Sequence, residues 1–473
     1  MPRMGQGSAD RIVADLREWI REAGPGAQLP SSRTLVARYE ASPVTVQRAM
    51  RTLISLGLVD SRPGAGSFVR AVRATRTVNV NWQAGALRTA NARTPSLPTA
   101  LRDISLETIG LHSGFPAAEL LPERAVRVAL ARAARADAAM SRSPVAGLPE
   151  LQNWFATELA SATPAGVVAP ASRDVIVVPG TQSGLSSIFR TLAGPGKPVV
   201  MESPTYWGAI LAAAQAGVQI VPVASDANGP DPADVARAFA ETGARVFYAQ
   251  PNFANPTGAQ WSPRRREEIM SVVRDNGAFL VEDDWAHDFG IDSEPVPMAA
   301  HDDAGHVVYL RSLTKSVSPA VRVGAVIARG PVRDRILADR AAESMYVSGV
   351  LQAAALEVEL QPAWRTHLRN LRAQLRDRRD LLARCLADYA PHAVVDQLPR
   401  GGLNLWVRLP DEVELDRLVR DCANADLVIP AGTEWFPAEP TGTYTRLNFA
   451  GADPARFADG ARVLGQALAD QLR

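Results

Sequence analysis

Residues 311–330 read RSLTKSVSPAVRVGAVIARG. The chain has 51 basic residues, yet only Lys197 and Lys315 are lysine; every other cation is arginine. A lysine kept against that bias points to a need for a primary amine. Buried beside another cation, an ammonium can lose its proton and attack a carbonyl, which a guanidinium cannot do. Lys197, in GPGKPVV, reads as a solvated charge in a turn. Lys315 stands among small hydroxyl residues, just before Ser318-Pro319 and seven residues before Arg322. That setting suits a lysine that forms a Schiff base next to a phosphate-binding cation.

Apolar, strand-like runs flank this stretch: HVVYLRS (306–312) before it and VGAVIAR (323–329) within it. Further back come DVIVVP (174–179), PVVMES (198–203), QIVPV (219–223), RVFYAQP (245–251) and AFLVED (278–283), with helical segments such as 231–241 and 263–276 between several of them. Near-continuous apolar strands alternating with helices predict a largely parallel sheet covered on both faces. Helices are expected also at 122–139 and 148–161. Ligands of such sheets sit beyond the carboxyl ends of the strands, so chemistry is sought just after each run.

Five of the seven runs are followed by a candidate. GTQSGLSS (180–187) offers the backbone amides of Thr181 and Gln182 at a helix N-terminus for a phosphate. SPTYWG offers Tyr206 to stack on a planar ring, a core tyrosine being the alternative. NFANPTGAQ aims the Asn255 amide from a turn of defined shape. AFLVEDDWAHDF (278–289) ends a strand with Glu282, Asp283 and Asp284, and a carboxylate there can hold a pyridine nitrogen protonated. Ser312, Lys315 and Arg322 complete the set. Together these residues specify a pyridoxal phosphate pocket.

The N-terminal part has another grammar. ADRIVADLREWIREA (9–23) places Ile12, Val13, Leu16, Trp19 and Ile20 on one helical stripe, ended by Gly24-Pro25-Gly26. Ser31 or Ser32 caps a short helix with Leu35, Val36 and Tyr39. Ser42-Pro43 starts another, a hydroxyl cap followed by proline at the first helical position. That helix is expected to bury Val46, Met50, Leu53 and Ile54 and to expose Thr45, Gln47, Arg48 and Arg51. LVDSRPGAGSFVRA reads as two strands around a glycine turn. The order is that of a winged helix-turn-helix, which sets its second closely spaced helix in the DNA major groove. Charge agrees: residues 1–100 carry 14 arginines against six acidic residues, a balance of +8, and the remainder is net −7.

Other classes drop out. At 473 residues two or three domains are expected. No apolar run approaches the ~20 residues of a membrane span, and MPRMGQGSADRIV lacks the apolar core of a secretory signal. Cys385, Cys422 and six scattered histidines give neither a disulfide framework nor zinc spacing. A reduced, cytoplasmic setting without metal is expected. Arg73, Arg76, Arg88 and Arg93, with Pro95 and Pro98, mark an extended linker.

Two resemblances follow from these motifs. LPSSRTLVARYEASPVTVQRAMRTLISLGLVDSRPGAGSFV closely resembles the head of GntR-type bacterial regulators, which implies that Arg33, Ser42, Thr45 and Gly66 meet DNA; Pro43 stands where that family often has arginine, with Gln47, Arg48 or Arg62 to compensate. Residues 110–473 resemble a fold-type I aminotransferase domain of class I/II. Joined, the two resemble the MocR family of pyridoxal-phosphate-dependent transcriptional regulators. The expected architecture is a winged helix-turn-helix (1–71), a linker (72–105) and an α/β fold-type I transferase domain (106–473), its large part about 150–330 and its small α+β part about 106–149 and 331–473.

By resemblance, pyridoxal 5′-phosphate is the cofactor, Lys315 its Schiff-base lysine and Asp283 the partner of the ring nitrogen. Asn255 bonds the ring hydroxyl, Tyr206 stacks on the ring, and Thr181, Gln182, Ser312 and Arg322 hold the phosphate. Arg446, in YTRLNFAG, grips an effector carboxylate as a bidentate fork, a structural ion pair being its alternative role. Three departures bear on turnover: Trp285 replaces a tyrosine, SRSPVAGLPEL (141–151) lacks the tyrosine that reaches a partner subunit's phosphate, and Asn404 stands where histidine is frequent. The implied partners are a double-stranded DNA operator, a small amino compound or a vitamer of the cofactor as effector, and a second copy in a homodimer, with no membrane. The alternatives are a working aminotransferase with an accessory DNA-binding head and an aminotransferase fold kept as a dimerisation scaffold.

Overall fold

The computed structural model describes residues 8–62, 65–70, 98–105 and 107–473. The chain divides into two units, 1–94 and 95–473. Most of the expected linker, with Arg73, Arg76, Arg88 and Arg93, lies outside the described residues.

In the first unit α1 (Ser8–Ala23) buries Ile12, Leu16 and Ile20. α2 (Ser32–Tyr39) is capped by Ser31, whose hydroxyl accepts from the Thr34 amide. α3 (Pro43–Ser55) is capped by Ser42 with proline at its start. Val46, Ala49, Met50 and Leu53 of α3 meet α1 and the residues Leu29, Leu35, Val59 and Val69 in one core. Each valine, leucine, isoleucine or methionine among these is worth about 1.5–3 kcal/mol when fully buried. Ile54 departs from expectation: it lies on the last turn and is 40% exposed, as none of the described residues packs fully over that end of the stripe. β1 (Val59–Arg62) and β2 (Gly66–Val69) form the antiparallel wing, Val59 opposite Val69 and Arg62 opposite Gly66. Residues 26–29 bond along the free edge of β2, with Leu29 N to Ser67 O at 2.8 Å.

The second unit begins with β3 (Ile109–Gly110), α4 (Glu123–Ala133) and α5 (Pro149–Ser161). The helix expected over 122–139 ends at Ala133, with only a 3₁₀ turn at Asp137–Ala139. There follow β4 (Val175–Val178), α6 (Thr181–Ile188), β5 (Pro198–Ser203), α7 (Trp207–Ala216), β6 (Gln219–Asp226), β7 (Gly229–Pro230), α8 (Pro232–Thr242), β8 (Val246–Ala249), α9 (Pro263–Asp275), β9 (Phe279–Asp284), β10 (Val307–Ser312) and β11 (Gly324–Ile327). The sheet runs β4-β11-β10-β9-β8-β5-β6-β7. β10, β9, β8, β5 and β6 are parallel, and β11 runs against both β4 and β10. The reason is the connection. A parallel return needs a crossover of a dozen or more residues, usually helical, whereas the chain from Ser312 to Gly324 is one compact turn.

Successive residues alternate between faces, as strand geometry requires. Ile176 and Val178 face α6, α7 and α10 (Pro331–Ser344) in one core. Val175 and Val177 face α4, α5 and α11 (Gly349–Glu359) in another. α8 and α9 cover the rest of the sheet with Phe239, Ile269 and Val273.

A separate core holds Ile109, Leu111 and Leu120 together with α12 (Trp364–Tyr389), β12 (Asn404–Arg408), α13 (Leu415–Asn424), β13 (Leu427–Val428), β14 (Tyr444–Asn448) and α14 (Phe457–Gln471). This revises the expected subdivision. Segments 123–133 and 349–364 carry apolar stripes that fill the sheet's face, so the small body comprises about 109–120 and 371–468. α12 links the two, with Trp364 in the sheet core and Leu371 to Leu386 in the small one.

Candidate functional site

The parallel strands end on one edge, and the predicted residues gather there. Lys315 sits in a turn closed by Leu313 N to Val323 O and Val317 N to Leu313 O, both 3.0 Å. Its amine lies 4.3 Å from the centroid of the Trp285 ring and 5.9 Å from that of Tyr206. Burial pulls its pKa down to about 8; Asp283 opposes that shift, and Arg446 and Arg322 add to it.

Asp283 closes β9. Its Oδ2 accepts from Tyr248 Oη at 2.9 Å and Gln250 Nε2 at 2.8 Å, while its buried Oδ1 has no partner among the described residues. Burial raises its pKa, against those bonds and nearby Lys315. Asp284, on the opposite face, accepts from Tyr309 Oη and pairs with His287 Nδ1, each at 2.6 Å. Tyr248 and Gln250 escaped the sequence reading, although two polar residues spaced by two in an apolar strand were the available signal.

The phosphate candidates also converge. Gly180 precedes α6 with φ +87°, and a Cβ there would lie 2.6 Å from Arg322 Nη2. A side chain there would be strained by that φ and would push the guanidinium away from the α6 N-terminus. Arg322 stands two residues before β11, whose antiparallel course brings it to this edge, and it donates to Pro179 O at 3.4 Å. Thr181 and Gln182 open α6. The Gln182 side chain is spent on Gly208 O at 2.7 Å, so its backbone amide is the phosphate group on offer. Ser312 is buried, its hydroxyl accepting from Thr314 N at 3.3 Å.

Asn255 and Arg446 form the far side. Asn255 Oδ1 accepts from Trp435 Nε1 at 3.1 Å and Arg446 Nη1 at 3.3 Å. Arg446 Nη2 donates to the carbonyls of His112 and Ser113, both 2.8 Å, and its guanidinium lies 4.7 Å from the Trp435 ring centroid. Nη2 is thus committed to backbone, and Nε is the buried N–H with no partner among the described residues. Burial lowers its pKa to about 10, which leaves it charged at neutral pH. Trp285 Nε1 donates to Phe253 O at 3.1 Å, turned to the backbone and occupied. Asn404 is buried, its Oδ1 unpartnered among the described residues. A cavity of about 610 Å³, lined by Trp261, Met270, Arg274, Met298 and Arg400 among others, includes none of these residues.

In the first unit Arg33, Gln47 and Arg48 are exposed. Ser42 Oγ caps α3 and shares a 2.8 Å hydrogen bond with Thr45 Oγ1, so the two hydroxyls serve the helix start itself. Gly66 has φ +109°, and a Cβ would approach Gln28 Nε2 to 2.7 Å. Val44, 70% exposed beside Thr45, was not singled out by the sequence reading.

Fold and site define a fold-type I pyridoxal-phosphate domain joined to a winged helix-turn-helix. Residues 107–464 match the family model for class I and II aminotransferases, and the chain belongs to that family. Residues 8–69 match the gntR family of bacterial regulatory proteins. Similar curated proteins include an uncharacterized HTH-type transcriptional regulator of Bacillus subtilis, YdfD (26% identical; 93% of this chain and 91% of that one). Another is the probable rhizopine catabolism regulatory protein MocR of Rhizobium meliloti (26%; 93% and 89%). Among solved structures, LysN, the alpha-aminoadipate aminotransferase of Thermus thermophilus complexed with N-(5′-phosphopyridoxyl)-L-leucine, superposes with a TM-score of 0.70 at 25% identity, covering 78% of this chain and 93% of that one. The chain thus has the architecture of MocR-like regulators, and the family implies pyridoxal 5′-phosphate. Among the described residues no helix is long and apolar enough to cross a membrane.

Proposed function

We propose that this chain is a transcriptional regulator whose C-terminal unit holds pyridoxal 5′-phosphate and senses a small amino compound, or a vitamer of the cofactor, at Lys315. The orphaned Oδ1 of Asp283 carries the reading. A buried carboxylate oxygen without a protein partner is costly unless a ligand donor meets it, and a protonated pyridine nitrogen is such a donor. Lys315 would anchor the cofactor, the α6 amides, Ser312 and Arg322 its phosphate, Tyr206 its ring face and Asn255 its hydroxyl. When bound, the cofactor supplies an aldehyde carbon that exchanges amines and a ring that accepts electrons. Lys315, its pKa lowered to about 8, offers a neutral amine in appreciable fraction at neutral pH. Arg446 would take an effector carboxylate through Nε.

Trp285 supports sensing over turnover: its only polar hydrogen is held by Phe253 O, so it cannot bond a ring hydroxyl as a tyrosine would. On this reading Arg33, Gln47 and Arg48 meet a double-stranded operator, the protein works in the cytoplasm, and two copies pair. The test is the visible absorption spectrum of the purified protein beside Lys315→Ala. A cofactor band that borohydride removes and the variant lacks is expected; a protein that stays colourless with added pyridoxal 5′-phosphate overturns the reading. Steady turnover of an amino donor with a keto acid would instead favour an aminotransferase.

A further inference from the structure

The 3₁₀ turn Gly432–Trp435 touches two places at once. Toward the site, the Trp435 indole donates to Asn255 Oδ1 at 3.1 Å and lies 4.7 Å from the Arg446 guanidinium, and its carbonyl accepts from Thr205 N, next to Tyr206, at 2.8 Å. Away from the site, Glu434 accepts from Thr99 three times: Oγ1 at 2.5 Å and the amide at 3.2 and 3.3 Å. Thr99 and Ala100 are both buried. Two adjacent residues therefore connect the carboxylate arginine to the segment whose chain continues, through residues 71–97, to the winged helix-turn-helix.

We infer that Glu434 and Trp435 form a latch between the effector site and the C-terminal end of the linker. This rests on the sensing reading above and specifies its regulation. Arg446 and Asn255 hold Trp435 by one hydrogen bond and one aromatic face, while a carboxylate arriving at Arg446 draws on the same guanidinium. Trp435 then loses part of its seat, and Glu434, its neighbour in a single turn, loses its grip on Thr99. Trp435 is a positioning residue: it reaches the effector only through Arg446 and Asn255. An effector shifts the latch by its difference in affinity for the held and released states, and bound DNA must change effector affinity by the same factor.

Amide hydrogen exchange at Thr99 in the full-length, cofactor-loaded protein tests the connection. Trp435→Phe keeps an aromatic face but removes the donor to Asn255, and is expected to speed exchange at Thr99 by about tenfold or more, with Glu434→Ala setting the upper limit. Unchanged exchange in Trp435→Phe overturns the latch. DNA affinity is then compared between protein loaded with N-(5′-phosphopyridoxyl)-L-leucine, which has a carboxylate, and with pyridoxamine 5′-phosphate, which has none. The two are expected to differ by about fivefold or more in the parent and by less than about twofold in Glu434→Ala, which removes all three bonds to Thr99. A difference that persists in Glu434→Ala overturns the latch and leaves the sensing reading standing. No difference in the parent overturns both.

Discussion

The amine of Lys315 lies 4.3 Å from the centre of the Trp285 ring, so the candidate Schiff-base lysine faces an aromatic surface. The ring favours the charged ammonium by about 0.5–1 kcal/mol or more, while burial drives the amine toward its neutral form and prevails. The neutral amine is the species that attacks an aldehyde. Uptake of pyridoxal 5′-phosphate by the cofactor-free protein should therefore accelerate as pH rises through about 8 and level off above it. Stopped-flow absorbance measures this. A Trp285→Leu variant should move the midpoint down by roughly half a unit.

The same lysine sets a stability slope. Its folded pKa of about 8 lies below the unfolded value near 10.5, so between those pH values the unfolded chain binds more protons. Stability of the cofactor-free protein, as far as Lys315 contributes, should rise with pH across that window. Urea midpoints at pH 8 and pH 10 for the parent and Lys315→Met isolate the contribution, and the variant should have the flatter profile.

Asp283→Asn should fold and bind the cofactor poorly. The amide oxygen can still accept from Tyr248 and Gln250, but an NH₂ group then occupies the position of the unpartnered Oδ1. Loss of a hydrogen bond to a charged group costs about 1.5–3 kcal/mol, so affinity should fall about 10- to 150-fold. Titration of cofactor into the apoprotein, read by absorbance, checks it.

On DNA, Arg33→Ala and Arg48→Ala should weaken binding across sequences and reduce the steepness of log K against log salt by about 0.9 for each phosphate no longer neutralised. Gln47→Ala should instead relax preference at one base pair by about 1–3 kcal/mol. Fluorescence anisotropy at several salt concentrations separates the two behaviours.

Much of the fold was legible because burial on both faces leaves uninterrupted apolar runs. All seven strand runs are present. What escaped depends on packing without a local period. Trp435 reaches Asn255 across 180 residues, and Glu434 reaches Thr99 across 335. Nothing in either segment marks the other. The commitment of Arg446 to two backbone carbonyls could come only from the packed structure. Ile54 was misassigned because helical periodicity defines a stripe without saying where its cover stops.

The long helix α12 has a mechanical consequence. Trp364 is fixed in the sheet core, Leu368 packs against both cores, and Leu371 to Leu386 belong to the small body. One rigid rod thus crosses from one mass to the other with its fulcrum near Leu368. Tyr389 lies ~32 Å further along the axis. A swing of ~5° at the fulcrum carries that end through ~3 Å, so a small adjustment beside the sheet becomes a side-chain-sized stroke at the far end of the smaller body.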